Sequence, residues 1–244
     1  MNRDEWTGRA DIHLHTTASD GFSSVEAVLD HIAKLGTLDV IAITDHDVLD
    51  SSLWAYHHRA NYPFAIIPGV EVSSADGHVL ALWVTQPITK GMPLAETVTA
   101  IHKQGGMAIL AHPFEVLVCT EAPFRYLREP ESIRQAGVDA LEVHNAGAFT
   151  PGNNLLARRL AKQLNLPAVG NSDGHSLRAI GRGVTYFKGR TDDDFRAAVQ
   201  RGETRVEGTR WPVEDYIRLF PRLIRDKTAA LGSLGARLTQ ATRS

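Results

Sequence analysis

Cysteine is nearly missing from this chain. Cys119 stands alone among 244 residues, which excludes an internal disulfide framework and a thiolate metal site. Long apolar stretches are missing too: the hydrophobic runs are strand-sized, far short of the ~20 residues that a bilayer-spanning helix needs. Charge of one sign is not in excess, with 26 Lys+Arg against 28 Asp+Glu and a net charge of −2, so no general attraction to nucleic acid is expected. The N-terminus, MNRDEWTGRAD, carries acidic residues early and has no apolar h-region. No secretory signal is therefore expected, and a cytoplasmic location is. What is present is an ordinary globular composition, 43% hydrophobic and 22% charged, with room for a real core. The unusual count is eleven histidines.

Strand-like and helix-like segments alternate along the chain. Residues 10–15, 39–46, 64–73, 78–84, 107–112, 139–145, 166–173, 183–187 and 204–208 have the apolar, β-branched character of strands. Between them, 23–36, 93–104, 153–164 and the segment TDDDFRAAVQRG carry a helical period. Ser23 and Glu26 have capping-box spacing, and Gly36 and Gly202 are placed as helix stops. This alternation predicts an α/β fold of βαβ units with a mostly parallel sheet. Seven or so repeats in about 210 residues suit a small or distorted barrel better than an open sheet. Residues 1–211 are read as that domain. Residues 212–244, with six Arg/Lys against three Asp/Glu, are read as a basic helical appendage in which Leu219, Leu223 and Ile224 form a packing face.

The histidines divide by position. His31, His57, His58 and His102 lie in or beside helical stretches and are read as solvated. His13, His15, His46, His78, His112, His144 and His175 lie at strand ends. In a barrel of parallel strands the C-terminal ends converge on one face, where active sites sit. His13 and His15 are two apart, so on a strand their rings point to the same side. Acidic residues keep them company: Asp20 in TTASDG, Glu71 in PGVE and Asp173 in SDGH. With His144 set apart, nine such imidazoles and carboxylates, without sulfur, suit Zn²⁺, Mn²⁺ or Fe²⁺. They exceed what one ion needs, so two or three divalent transition metal ions are expected.

The ordered motifs DIHLHTTASDG, ITDHD, PGVE, GH, AHP and NSDGH resemble the PHP (polymerase and histidinol phosphatase) family of metal-dependent phosphoesterases, from about residue 10 to 176. The resemblance implies a distorted (β/α)7 barrel with its active site at the C-terminal strand ends. It implies one metal held by His13, His15, Glu71 and Asp173, and a second held by Glu71 as a bridge together with His78 and His112. A third would lie between Asp20, His46 and His175. Some relatives have histidine where this chain has Asp20. Asp11 and Asp45, each next to a ligand segment, are expected to orient ligand rings. His46, Asp173 and His175 are the candidates for catalysis itself. The leaving-group acid stays open between His46, His175, Asp45 and a metal-bound water. His144, Asn145, Arg178 and Arg182 are candidate substrate contacts, the arginines through bidentate pairing with phosphate.

The expected activity is hydrolysis of a phosphate ester of a nucleotide, sugar phosphate or similar small metabolite, by hydroxide attack on phosphorus. A nucleic-acid-directed phosphoesterase that trims oligonucleotide ends is the alternative, in which the basic tail would matter. An amidohydrolase is a weaker one, because no strand end carries a bridging lysine. No membrane partner is expected, and the oligomeric state is left open. Nucleotide-hydrolysing relatives often carry a helical insertion after the fourth motif. Only 33 residues separate His78 from His112 here, so that lid is expected to be absent or replaced, with the loop at 114–132 as the candidate replacement.

Overall fold

The computed structural model describes residues 6–116 and 122–221. Nine strands form one sheet: β1 (Gly8–Leu14), β2 (Val40–Ile43), β3 (Ala65–Ser74), β4 (Gly77–Leu82), β5 (Met107–Leu110), β6 (Ala140–Asn145), β7 (Ala168–Asn171), β8 (Gly183–Phe187) and β9 (Arg205–Gly208). Their order is β7-β6-β5-β4-β3-β2-β1-β8-β9. The sheet curls until β7 lies beside β1 and β8. The Ile12 amide donates to Asn171 Oδ1 at 3.2 Å and the Gly170 amide to the Thr185 hydroxyl at 2.8 Å. Just past β7, Gly174 pairs with Leu14. The result is the nearly closed, distorted barrel expected from the sequence.

The expectation of a mostly parallel sheet needs correction. β1–β2, β2–β3, β5–β6 and β6–β7 are parallel, but β3–β4, β4–β5, β1–β8 and β8–β9 are antiparallel. The short link between β3 and β4 forces the reversal, since a parallel return needs a crossover of a dozen or more residues. The reversal also has a use: it brings the start of β4 to the face where the parallel strands end.

Four helices follow the period read from the sequence: α1 (Val25–Leu35), α3 (Leu94–Lys103), α6 (Asn153–Leu164) and α7 (Asp192–Arg201). Their caps are local chemistry. Thr191 and Asp194 make a reciprocal capping box on α7, and Gly202 closes it in the left-handed region. On α1 the cap is Ser24, whose hydroxyl accepts from the Ala27 amide, one residue later than the Ser23–Glu26 spacing suggested. Two further helices were not anticipated, α4 (Ala122–Arg128) and α5 (Glu131–Gln135), and α2 (Asp50–His57) was expected only as a helical stretch beside His57 and His58, without bounds. α2 has no side-chain cap bond, and all three are only two turns or less, too short for a readable period.

Apolar residues of the strands fill the barrel, with Ile12, Ile67, Leu80 and Ile109 fully buried. Val98, Ile101, Leu160 and Leu164 pack helices α3 and α6 onto its outside. Trp211 is buried, and the helical residues 213–221 that follow place Leu219 in the same cluster. Leu223, Ile224, Cys119 and most basic residues of the 212–244 segment lie outside the described residues. Among the described residues, no helix is long and apolar enough to cross a membrane.

Closure depends on Gly183. A Cβ there would stand 2.0 Å from the Asn171 carbonyl oxygen, whereas a Cβ on Gly36, with φ of 60°, would meet nothing within 4 Å. Gly36→Ala should cost about 1–2 kcal/mol, the usual strain of a left-handed backbone. Gly183→Ala should cost clearly more, read from denaturant unfolding. Equal costs would mean that the barrel tolerates separation of β7 from β8.

Candidate metal centre

One carboxylate organises the C-terminal face of the barrel. Glu71 lies within β3 and is fully buried. Its Oε1 is 2.8 Å from His78 Nδ1 and 3.1 Å from His112 Nε2. Its Oε2 is 3.0 Å from His13 Nε2, 3.2 Å from His15 Nε2 and 3.1 Å from His46 Nδ1. His13 and His15 come from the end of β1, His46 from beyond β2, and His112 from beyond β5. His78 comes from the start of β4, which reaches this face because β4 runs backwards.

Asp173 follows β7 and lies beside the β1 pair: its Oδ1 is 3.1 Å from His15 Nε2 and 3.4 Å from His13 Nε2. Asp20 closes the other side. Its Oδ2 is 3.0 Å from His175 Nε2 and 3.8 Å from His46 Nε2. Ligand-type atoms thus fall into overlapping groups: His15 with Asp20, His46 and His175; His13 with His15 and Glu71; His13 with His112 and Asp173; and His46 with Glu71 and His78. His112 and Asp173 have left-handed backbones, with φ of 25° and 51°. Non-glycine residues hold such angles at a cost, and these sharp turns aim both side chains inward.

The donor set fits divalent metal. His13 Nε2, His15 Nε2, His46 Nδ1 and Glu71 Oε2 are buried, and none has a hydrogen-bond partner. Three ring nitrogens surround one oxygen without the alignment of a hydrogen bond. Imidazole nitrogens and carboxylate oxygens facing a common point are the ligand chemistry of Zn²⁺, Mn²⁺ and Fe²⁺.

The electrostatics carry the same demand for positive charge. Burial alone would push the Glu71 carboxyl up, but the imidazoles of His46, His13 and His78 outweigh it and hold it well below the usual carboxylate range. Asp173 is likewise lowered against burial, chiefly by His13, His15 and His175. Burial should lower His15, yet the Asp173 and Glu71 carboxylates lift it to about 10. His112 rises against burial to about 8 beside Glu71. His46 goes the other way, to about 4, because burial and its neighbours His15 and His78 outweigh the pull of Glu71 and Asp20. Metal binding must displace protons from the raised imidazoles, His15 and His112 among them.

All nine expected ligand side chains therefore gather at one face, and seven of them line a pocket there: Asp20, His46, Glu71, His78, His112, Asp173 and His175. The expected substrate contacts divide. Asn145 lines the pocket. His144 does not: an irregularity in β6 between Glu142 and His144 turns its ring toward Gly170, Gly183 and Gly208, whose missing side chains make room for it. Arg178 and Arg182 face the segment 210–215, through Asp215 Oδ1 at 3.4 Å and the Arg210 carbonyl at 3.5 Å, and neither lines the pocket.

Asp11 and Asp45 need a correction too. Neither orients a ligand ring. Asp11 accepts from the Ser172 and Gly181 amides, at 3.0 and 2.9 Å. Asp45 accepts from the Thr16 amide and hydroxyl at 2.7 Å and from the hydroxyls of Ser19 and Ser51. Both tie down the loops that carry ligands. The ring-orienting acid is Glu142, 3.0 Å from His13 Nδ1 and absent from the sequence reading. Its signal was an acidic residue inside the otherwise apolar stretch ALEV. Also missed was the apolar wall of the pocket, formed by Phe149, Trp211 and Leu219. Trp211 Nε1 donates to the Ser172 carbonyl at 2.7 Å, and its ring meets that of His175 edge to face.

A family model described as PHP domain matches residues 11–175, more than half of the chain. The chain belongs to the PHP domain family. A second model, PHP-associated, matches residues 151–204. An uncharacterized protein of Methanocaldococcus jannaschii is 27% identical over 169 residues, covering 64% of this chain and 93% of that protein. The PHP fold recurs in a two-domain protein of Bacteroides vulgatus, described as containing a predicted PHP-like metal-dependent phosphoesterase, with a TM-score of 0.70 and 20% identity. The alignment covers 84% of this chain and 66% of that one. The lesion-specific endonuclease Q of Pyrococcus furiosus shares the fold at a TM-score of 0.59 and 16% identity, over 87% of this chain and 66% of its own.

The geometry ranks the acidic residues. Glu71 faces five imidazoles, and Asp20 serves a single group at the rim. Glu71→Gln should therefore remove more bound metal per chain than Asp20→Asn, measured by elemental analysis of the purified proteins. An equal loss would contradict the central place given to Glu71.

Proposed function

We propose that this PHP-family chain is a metal-dependent phosphoesterase that hydrolyses a phosphate ester of a small metabolite, such as a nucleotide or sugar phosphate. The observation that carries the reading is the ring of unpartnered imidazole nitrogens around the buried Glu71 carboxylate. His13, His15, Glu71 and Asp173 would hold one ion, Glu71, His78 and His112 a second, and Asp20, His46 and His175 a third. When bound, such ions supply an acidified water as nucleophile and positive charge for the phosphoryl oxygens.

The protein's own groups do the remaining work. Glu71 and Asp173 set the negative charge that balances the cations. His46 and His175, with Asp20, stand at the rim of the pocket as the ligands of the third ion, and water admitted at that rim would supply the proton for the leaving-group oxygen. Phe149, Trp211 and Leu219 exclude water on one side and offer an apolar surface to the alcohol half of the ester. This wall favours a small ester over an internal bond of a long polymer. Residues 1–211 are read as the barrel proper and 212–244 as its appendage, a reading supported by Leu219 reaching the pocket from beyond residue 211.

Endonuclease Q supports a second reading, a nucleic-acid substrate, because its barrel is built the same way. Arg178, Arg182, Arg210 and Arg218 would then be the phosphate contacts outside the pocket. Rates on a mononucleotide and on an oligonucleotide of the same base distinguish the two.

The purified protein with Mn²⁺ should hydrolyse an aryl phosphate, and a strong chelator should abolish the activity. Asp173→Asn should cost at least ~10²-fold in rate, since even changes to groups behind the ligands cost 10–100-fold. His57→Ala, on the exposed end of α2, should leave the rate unchanged. Activity that persists after complete metal removal would defeat the reading.

A further inference from the structure

Glu142 is fully buried in β6, and all four of its hydrogen bonds come from donors. Oε1 meets His13 Nδ1 at 3.0 Å and accepts from Asn171 Nδ2 at 2.8 Å. Oε2 accepts from the His112 backbone amide at 2.9 Å and from Asn145 Nδ2 at 3.0 Å. Asn145 Nδ2 also donates to Asp173 Oδ2 at 3.0 Å. With a carboxylate on either side, the Asn145 amide has only one sensible orientation, nitrogen toward both acids.

These bonds reach three ligand-type side chains by three different routes. The His13 ring is held directly: its Nδ1 proton is engaged, so the lone pair of Nε2 is turned into the centre. His112 is held through its backbone, at a residue whose φ of 25° needs an anchor. Asp173 is held at second hand, through Asn145. His13, His112 and Asp173 are also one of the groups whose ligand atoms converge. Glu142 has no bond to Asp20, His46 or His175, the groups at the opposite rim. We infer that Glu142 is the positioning residue of one half of the metal centre, acting on His13, His112 and Asp173 together and leaving the Asp20, His46 and His175 half to itself.

The inference rests on the metal-centre reading above, and its test separates the two. Glu142→Gln keeps the volume but replaces one acceptor oxygen with an N–H donor. If the remaining oxygen keeps His13 and Asn171, the amide group faces the His112 N–H and Asn145 Nδ2, donor against donor. Metal-free wild type, Glu142→Gln and Asp20→Asn would each be titrated with Mn²⁺ and with Zn²⁺, reading stoichiometry and affinity by calorimetry and elemental analysis, alongside a thermal melt. The expected result in Glu142→Gln is a ~10–100-fold loss of affinity for the two ions assigned to His13 with Asp173 and to His112, with the ion of Asp20, His46 and His175 bound as in wild type. Asp20→Asn should show the complementary pattern. Asn145→Ala, which removes the bridge from Glu142 to Asp173 and leaves the bonds to His13 and His112, should weaken only the ion assigned to His13 and Asp173, and less than Glu142→Gln does; it decides the matter if Glu142→Gln does not melt cooperatively. Wild-type affinity for every ion in Glu142→Gln, or an equal loss for all of them, would overturn the inference. Absence of binding by the wild-type protein would overturn the metal centre itself, and this assignment with it.

Discussion

A carboxylate with no solvent and five imidazoles around it is the constraint to which the rest of the barrel conforms. An ionised group taken out of water costs several kcal/mol unless it is paired. Glu71 is paired from every side by rings that arrive from four different strands or their ends. No two neighbouring strands could supply them. The parallel strands must end on one face, and β4 must reverse so that its first residues reach that face as well.

The loops that bear the ligands are held by a second set of buried acids. Asp11 binds the turn after β7, Asp45 binds the turn after β1, and Glu142 binds the turn after β5. Each of these acids accepts from backbone amides, which are strong bonds when the acceptor is charged. Each turn is therefore fastened to a neighbouring strand or to the segment just past its end, rather than to itself. Geometry at the centre is thereby inherited from the sheet, the most rigid part of the molecule.

Most of this was legible in the sequence for a simple physical reason. Ligand residues sit in short motifs at strand ends, and strands declare themselves by β-branched apolar runs, so His13, His46 and His112 could be placed without a structure. Asp11 and Asp45 were recognised as supporting acids, but proximity in sequence to a ligand does not tell a ring contact from a loop contact. Glu142 was overlooked because its partners, His13 and His112, are 129 and 30 residues away. The apolar wall was invisible for a similar reason: Phe149 and Trp211 belong to segments with no motif, and only the closing of the barrel brings them to His175. The strand directions escaped because alternation of strands and helices says nothing about a hairpin inserted between them.

The irregularity in β6 has a consequence that reaches past this one molecule. Along that strand two residues span a single step of β7, and the extra residue is what lets Glu142 and Asn145, three apart, meet at 3.0 Å. Were the bulge lost with every residue kept, ordinary alternation would return, and His144, two residues from Glu142, would face the cavity in place of the carboxamide. A bulge gained or lost, in a strand whose residues are otherwise unchanged, is thus a compact way to alter the lining of such a centre. Two homologous chains compared column by column across this strand could be matched perfectly in their apolar pattern and still present different chemistry to a bound molecule.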